Sequence, residues 1–188
     1  MKLLAGIILK AIGWEAMPYK GNDKHAVFVF AHHTSMKDGF LSFLWLYKNG
    51  LRARILMAEY LFTGPLGPLA KALGFIKVER SNPRGLVKSI EEEVRKSDSL
   101  FIGICPEGTR SLAPGWKSGF YRIALDSGLP VVLGTADYKK KVMYLSDPIK
   151  LTGNAKEDMD RVRDFYRDVT ACYPENASPI KIRLEESA

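Results

Sequence analysis

Strands alternating with helices predict an α/β fold: a mixed, largely parallel central sheet flanked by helices, in a single domain. Two observations carry that prediction. Ala26-Val-Phe-Val-Phe-Ala31 and Leu100-Phe-Ile-Gly-Ile-Cys105 are continuous apolar runs, the pattern of strands buried on both faces. Helical stretches alternate with such runs. The clearest opens at Pro83, where Leu86, Ile90 and Val94 recur every four residues as one buried stripe.

In chain order, Met1 to Trp14 is apolar apart from Lys2 and Lys10. It reads either as a first helix packed on the core or as a helix lying in a lipid interface, basic side chains toward the head groups. No small-residue cleavage site stands out after it, and no run approaches the 18 or so apolar residues of a spanning helix. After the Ala26–Ala31 strand, residues 36–48 read as a helix stopped at Asn49-Gly50. Arg54–Ala58 is a second strand, Thr63–Pro68 a loop feeding a short helix through Leu69–Leu73, and Phe75–Val78 a third strand. The Pro83 helix then leads into the Leu100–Cys105 strand. After Trp116 a helix runs to about Asp126, stopped by Gly128. Leu129–Leu133 and Lys141–Leu145 add strands, with Lys139-Lys-Lys141 at the tip of a hairpin. A last helix over Glu157–Tyr173 carries Met159, Val162, Tyr166 and Val169 on one face.

A chain of 188 residues, 46% hydrophobic, can bury one substantial core, and no repeat, low-complexity tract or linker divides residues 1–188. Two cysteines, Cys105 and Cys172, form no disulfide framework and no metal-ligand spacing, which points to free thiols in a reducing compartment. The net charge of +7 favours an anionic partner: nucleic acid, lipid surface or phosphorylated small molecule. Basic residues are scattered without interleaved stacking aromatics, which argues against nucleic acid.

The chemistry sits where strands end, the usual address of α/β active sites. The first apolar strand runs into His32-His33 and then Thr-Ser-Met-Lys-Asp38. His33 offers a proton acceptor and Asp38 a carboxylate that can orient it. On one continuous helix, side chains five apart diverge by about 140°. The two meet only if His33 lies on the turn and Asp38 in the first helical turn, with Ser35 as N-cap. Two other readings compete: Ser35 and Asp38 match a capping box, and His32, His33 and Asp38 could ligate a metal, although no cluster completes a shell.

About seventy residues later comes Pro106-Glu-Gly-Thr-Arg110. Pro106 ends a ladder, Gly108 frees a turn, and Arg110 presents a planar fork to phosphate oxygens. Glu107 opposes phosphate and is better suited to hydrogen-bonding backbone amides, ordering the loop or holding an arginine. Arg80, past the Phe75–Val78 strand, could join Arg110 on one phosphate. Either arginine could instead be an exposed salt-bridge partner, and the whole string an ordinary tight turn. Cys105, ending an apolar strand, reads as buried and inert.

The order His-x4-Asp, then Gly74-Phe-Ile-Lys-Val-Glu-Arg80, then Pro-Glu-Gly-Thr-Arg resembles the glycerolipid acyltransferases, among them the lysophosphatidate acyltransferases. The likeness covers roughly residues 25–135. Trp116-Lys-Ser-Gly-Phe-Tyr121 is similar to the corresponding segment of compact bacterial members. The resemblance implies acyl transfer from a thioester of coenzyme A or acyl carrier protein to a lysophospholipid hydroxyl, with 1-acyl-sn-glycerol-3-phosphate the leading acceptor. It implies His33 as general base, Asp38 as its orienting partner, and Arg80, Glu107, Gly108, Thr109 and Arg110 as acceptor-binding positions. No metal, cofactor or acyl-enzyme is required, so Ser35 need not be a nucleophile. Backbone amides near the His33 turn are the expected oxyanion donors. An enzyme of this kind is expected on the inner face of the cell membrane, held peripherally at an anionic surface. Four departures leave the reaction type intact and bear on the acceptor: His32 where asparagine is frequent, Cys105 where phenylalanine is frequent, one proline in Leu129–Gly134, and a short chain without the longer membrane-embedded N-terminus of many members. A lyso-aminolipid acceptor, or water in a thioester hydrolase, would use the same His–Asp pair.

Overall fold

A computed structural model describes residues 2–59, 62, 67–72, 75–78 and 83–187. The elements are α1 (Lys2–Ala11), β1 (Glu15–Ala16), β2 (His25–Phe30), α2 (Met36–Asn49), β3 (Ala53–Ala58), α3 (Gly67–Ala72), β4 (Ile76–Val78), α4 (Pro83–Lys96), β5 (Leu100–Ile104), α5 (Gly119–Ser127), β6 (Val131–Asp137), β7 (Val142–Leu145) and α6 (Ala155–Tyr166). The chain closes with 3-10 turns at Pro174–Asn176 and Arg183–Ser187. The strands form one sheet in the order β1-β7-β6-β2-β5-β3-β4. All neighbours are parallel except β6 and β7, which form the expected hairpin. The sheet is therefore mixed and largely parallel.

The period of two along β2 sorts the core into two layers. Val27, Val29 and Ala31 face a cluster that includes Ile90 of α4, Phe120 of α5 and Met159, Val162 and Tyr166 of α6. Ala26, Phe28 and Phe30 face the other way, onto Leu9 of α1 and Leu41, Trp45 and Leu46 of α2. With both faces covered, β2 is apolar from Ala26 to Phe30, as its sequence predicts.

α1 combines the two readings of its sequence. Ala5 and Leu9 are buried, while Leu3, Leu4 and Ile7 are exposed at 78%, 56% and 56%. One narrow face packs on the core and the rest of the apolar surface is open. Among the described residues no helix is long and apolar enough to cross a membrane.

Three boundaries differ from expectation. β6, expected over Leu129–Leu133, runs over Val131–Asp137. β1 was not foreseen: two residues carry too short a pattern, and Ala16 is held by register with Met143 of β7. The last helix was expected to continue to Tyr173 but stops at Tyr166. Beyond it the backbone serves tertiary partners instead: Thr170 O accepts from Tyr138 N, and Tyr173 N donates to Thr34 Oγ1. Val169, expected on the buried face, is half-buried. The loop residues 63–66, with Leu73 and Gly74, lie outside the described residues.

Candidate active site

The register of the central strands builds the site. β2 and β5 run parallel with Val29 opposite Ile104, so the segments leaving their carboxyl ends emerge side by side. One carries His33 and the other Glu107. On the other flank β6 pairs Gly134 with Phe30, which brings the β6–β7 turn to the same end of the sheet.

Ser35 caps α2. Its Oγ accepts from Lys37 N at 3.2 Å, and Asp38 Oδ2 accepts from the Ser35 amide at 2.7 Å, the reciprocal bonds of a capping box. Asp38 Oδ2 also accepts from Thr34 N at 2.7 Å and lies 3.7 Å from His33 Nδ1. Capping and facing the histidine are therefore not alternatives. The capping box places the carboxylate, and the bend before the helix turns His33 toward it. Asp38 is 6% exposed. Its remaining oxygen, Oδ1, accepts from the Tyr138 hydroxyl at 2.6 Å.

His33 is half-buried, and its Nδ1 makes no hydrogen bond among the described residues. Burial lowers its pKa; Asp38 opposes that shift and Arg110 adds to it. The neutral imidazole is thus favoured. His32 is likewise lowered by burial against the pull of Asp38, and its ring tilts against Tyr166 at 5.7 Å.

Glu107 is 2% exposed, and its Oε1 accepts from the His33 amide at 3.1 Å. Among the described residues it meets a backbone amide rather than an arginine. Oε2 has no partner among the described residues, and burial pushes the carboxyl up to about 7 against the two backbone hydrogen bonds, with Asp38 adding to the rise. Gly108 follows with φ +62, a conformation that suits glycine. A Cβ there would lie 2.7 Å from Lys117 Nζ, so Lys117 brings a second cation against this turn. Thr109 and Arg110 are exposed; Thr109 Oγ1 accepts from Ser111 N, and Arg110 makes no ion pair among the described residues. Arg80 lies outside the described residues. Burial drives the Cys105 thiol far up, which keeps it protonated.

The expected oxyanion donors are corrected by this geometry. The amides of His33, Thr34 and Ser35 donate to Glu107 and Asp38 and are spent on holding the loop. Tyr138 was missed because nothing local distinguishes it; only the β2–β6 register carries it to Asp38. Among the described residues no group of three or more His, Cys, Asp or Glu could hold a metal ion. The Lys139–Lys141 turn is tied inward: the amides of Lys139 and Lys140 donate to buried Asp137, which Lys140 also pairs at 3.3 Å.

The fold is similar to that of the 1-acyl-sn-glycerophosphate acyltransferase PlsC from Thermotoga maritima, with a TM-score of 0.54 and 13% identity over 90% of this chain and 79% of that one. The acyltransferase family model matches residues 13–133, and the chain belongs to that family. It is 28% identical to a 1-acyl-sn-glycerol-3-phosphate acyltransferase of Limnanthes alba, over 93% of this chain and 67% of the relative. To enzymes of the same name it is 29% identical in Limnanthes douglasii and 34% identical in Cocos nucifera, spanning 59% and 37% of their lengths.

Proposed function

We propose that the chain transfers a fatty acyl group from coenzyme A or acyl carrier protein to the hydroxyl of a lysophospholipid, 1-acyl-sn-glycerol-3-phosphate foremost, yielding phosphatidate. The observation that carries this is the buried Asp38 carboxylate facing Nδ1 of a neutral-favouring His33, with Arg110 close enough to act on it. Family membership and the names of the relatives support the same reaction.

In this reading His33 Nε2 removes the acceptor hydroxyl proton as the oxygen attacks the thioester carbonyl. Asp38 stabilises the imidazolium that forms. The tetrahedral intermediate collapses, the C–S bond breaks, and the departing thiolate takes the proton back from His33. The 3.7 Å separation is longer than a hydrogen bond, and catalytic contacts commonly tighten when substrate binds. Positioned proton transfer of this kind supplies about 10²- to 10⁴-fold. Arg110, with Gly108 and Thr109 of the same turn, faces the acceptor phosphate; Glu107 fixes the His33 loop rather than touching phosphate. Arg80 is assigned to the same subsite on the family motif alone.

The exposed Leu3, Leu4 and Ile7, flanked by Lys2 and Lys10, support α1 as the element that docks on an anionic membrane surface, here placed at the inner face of the cell membrane. An enzyme with a lipid acceptor gains from standing where the acceptor is.

The test is thiol release from an oleoyl thioester with and without lysophosphatidate in detergent micelles, with the product identified by mass. Acceptor-dependent release giving phosphatidate is expected. Release that ignores the acceptor would replace transfer by hydrolysis. Transfer only to an uncharged or amino lyso-lipid would replace the acceptor. His33→Ala should abolish turnover in a folded protein, and retained turnover would sink the general-base assignment.

A further inference from the structure

Asp38 carries an uneven load. Oδ2 accepts two backbone amides and faces His33, and these contacts alone leave the carboxylate free to pivot about that oxygen. Oδ1 is fixed from one hundred residues away, by the Tyr138 hydroxyl at 2.6 Å. A hydrogen bond at that second oxygen sets the plane of the group, and with it the direction in which Oδ2 meets Nδ1.

Tyr138 is itself held from three sides. Its amide donates to Thr170 O at 2.9 Å. Its ring stands edge-on to Trp14, centroids 4.9 Å apart and planes at 83°. Burial, Asp38 and Cys172 all disfavour the phenolate, so the hydroxyl keeps its proton and donates to Asp38. The segment that supplies Thr170 and Cys172 also ties down the His33 loop, through Tyr173 N to Thr34 Oγ1 at 3.1 Å. A surface tyrosine would need none of these contacts.

We propose that Tyr138 is a positioning residue for the acyl-transfer reaction, acting through Asp38: it fixes the plane of the carboxylate and draws off part of its charge, so that the carboxylate orients His33 without binding the His33 proton too tightly. This rests on the reading of His33 as general base. Among the described residues, the titratable and charged groups that act on the His33–Asp38 pair are His32 from its own segment, Cys105 just past β5, Glu107 and Arg110 from the β5 loop and Tyr138 from the β6–β7 turn, with Cys172 beside Tyr138. Removing the hydroxyl leaves the other members of this set in place. Asp38 would then hold a more concentrated charge, the His33 imidazolium would be stabilised, and the pKa of His33 would rise.

The experiment compares the full chain with Tyr138→Phe in two readouts. One is kcat, KM and the pH dependence of kcat/KM with an oleoyl thioester and lysophosphatidate; the other is the His33 titration followed by NMR on histidine-labelled protein without substrate. The expected result is a kcat about tenfold or more lower, KM little changed, and both the acid limb and the NMR midpoint moved to higher pH. An unmoved His33 midpoint overturns the proposal, whether or not activity falls, because a merely structural tyrosine would give that pattern. A moved midpoint with full kcat overturns it equally. If Tyr138→Phe fails to fold, 3-fluorotyrosine placed at this position alone keeps the shape and strengthens the donor. It should move the midpoint to lower pH, and no movement refutes the proposal. The outcomes separate the two readings. Turnover in His33→Ala removes the general base whatever Tyr138 does, whereas a dead His33→Ala beside an unaffected Tyr138→Phe removes only the role of Tyr138.

Discussion

The Glu107 carboxylate accepts the backbone amide of His33 at 3.1 Å, across 74 residues of sequence, and so clasps the two motif loops together from inside the core. Its second oxygen is buried without a partner among the described residues, and burial makes the ionised form costly. Its folded pKa of about 7 lies above the ordinary 4.5. Between those values the folded state binds more protons than the unfolded one, so stability falls as pH rises through the window. Glu107→Gln keeps an acceptor for the His33 amide and cannot ionise. Thermal unfolding from pH 4.5 to 8 should show a flatter pH dependence for the variant, the two chains differing by up to about 3 kcal/mol above pH 7. Parallel curves would place the Glu107 proton elsewhere.

Burial keeps His33 below the ordinary histidine value of 6.5, with Asp38 opposing and Arg110 assisting. A base must be neutral to act, so the acid limb of kcat/KM should lie below pH 6.5. A limb above that value would mean that Asp38 outweighs burial in the free enzyme.

Arg110 has two separable effects. Arg110→Ala should raise KM for lysophosphatidate by about tenfold to a hundredfold and leave an uncharged lyso-lipid nearly unchanged, since a charge-assisted hydrogen bond to phosphate is lost. The same variant should move the acid limb to higher pH, because a cation that disfavours the His33 imidazolium is gone. Equal losses on both acceptors would make Arg110 structural.

Asp158 is a carboxylate that serves the fold rather than the site. Fully buried, it accepts from the Tyr121 hydroxyl at 2.8 Å, from the amides of Thr152 and Gly153, and from Arg161. Burial alone would raise its pKa, but these donors outweigh it and hold the group below the usual 3.8. Its contribution is present above that value and lost as pH falls through the folded pKa. Asp158→Asn, which misplaces a donor among donors, should cost about 2–4 kcal/mol in denaturant unfolding. A loss under about 0.5 kcal/mol would show that the cluster relaxes freely.

Leu3 and Ile7 point away from the core, so Leu3→Asp with Ile7→Asp should leave thermal stability unchanged. Binding to vesicles of phosphatidylcholine and phosphatidylglycerol should weaken at least about tenfold, from the apolar contact removed. Unchanged sedimentation with vesicles would remove α1 from the docking surface.

The central strands and the Ser35–Asp38 cap were legible because their signals are local: apolar runs for β2 and β5, and a capping pattern four residues long. The geometry around His33 was legible for the same reason, since five-residue spacing permits contact only across a helix start. What escaped depends on register between distant segments. The Tyr138 contact with Asp38, the Glu107 contact with the His33 amide and the early end of α6 each answer to a partner more than thirty residues away. The oxyanion expectation failed for a related reason: amides that look free in sequence were already engaged by carboxylates.

The hydroxyl of Tyr166 sits between Val29 O and Gly134 O at 2.9 and 3.0 Å, a staple across the two central strands from the last long helix. A few residues on, Tyr173 closes on Thr34. A nascent chain that has already displayed His33, Asp38 and the arginine loop therefore still lacks a finished pocket. The reactive residues come first along the chain, and a part that locks them in place, Tyr173, follows 139 residues after Thr34.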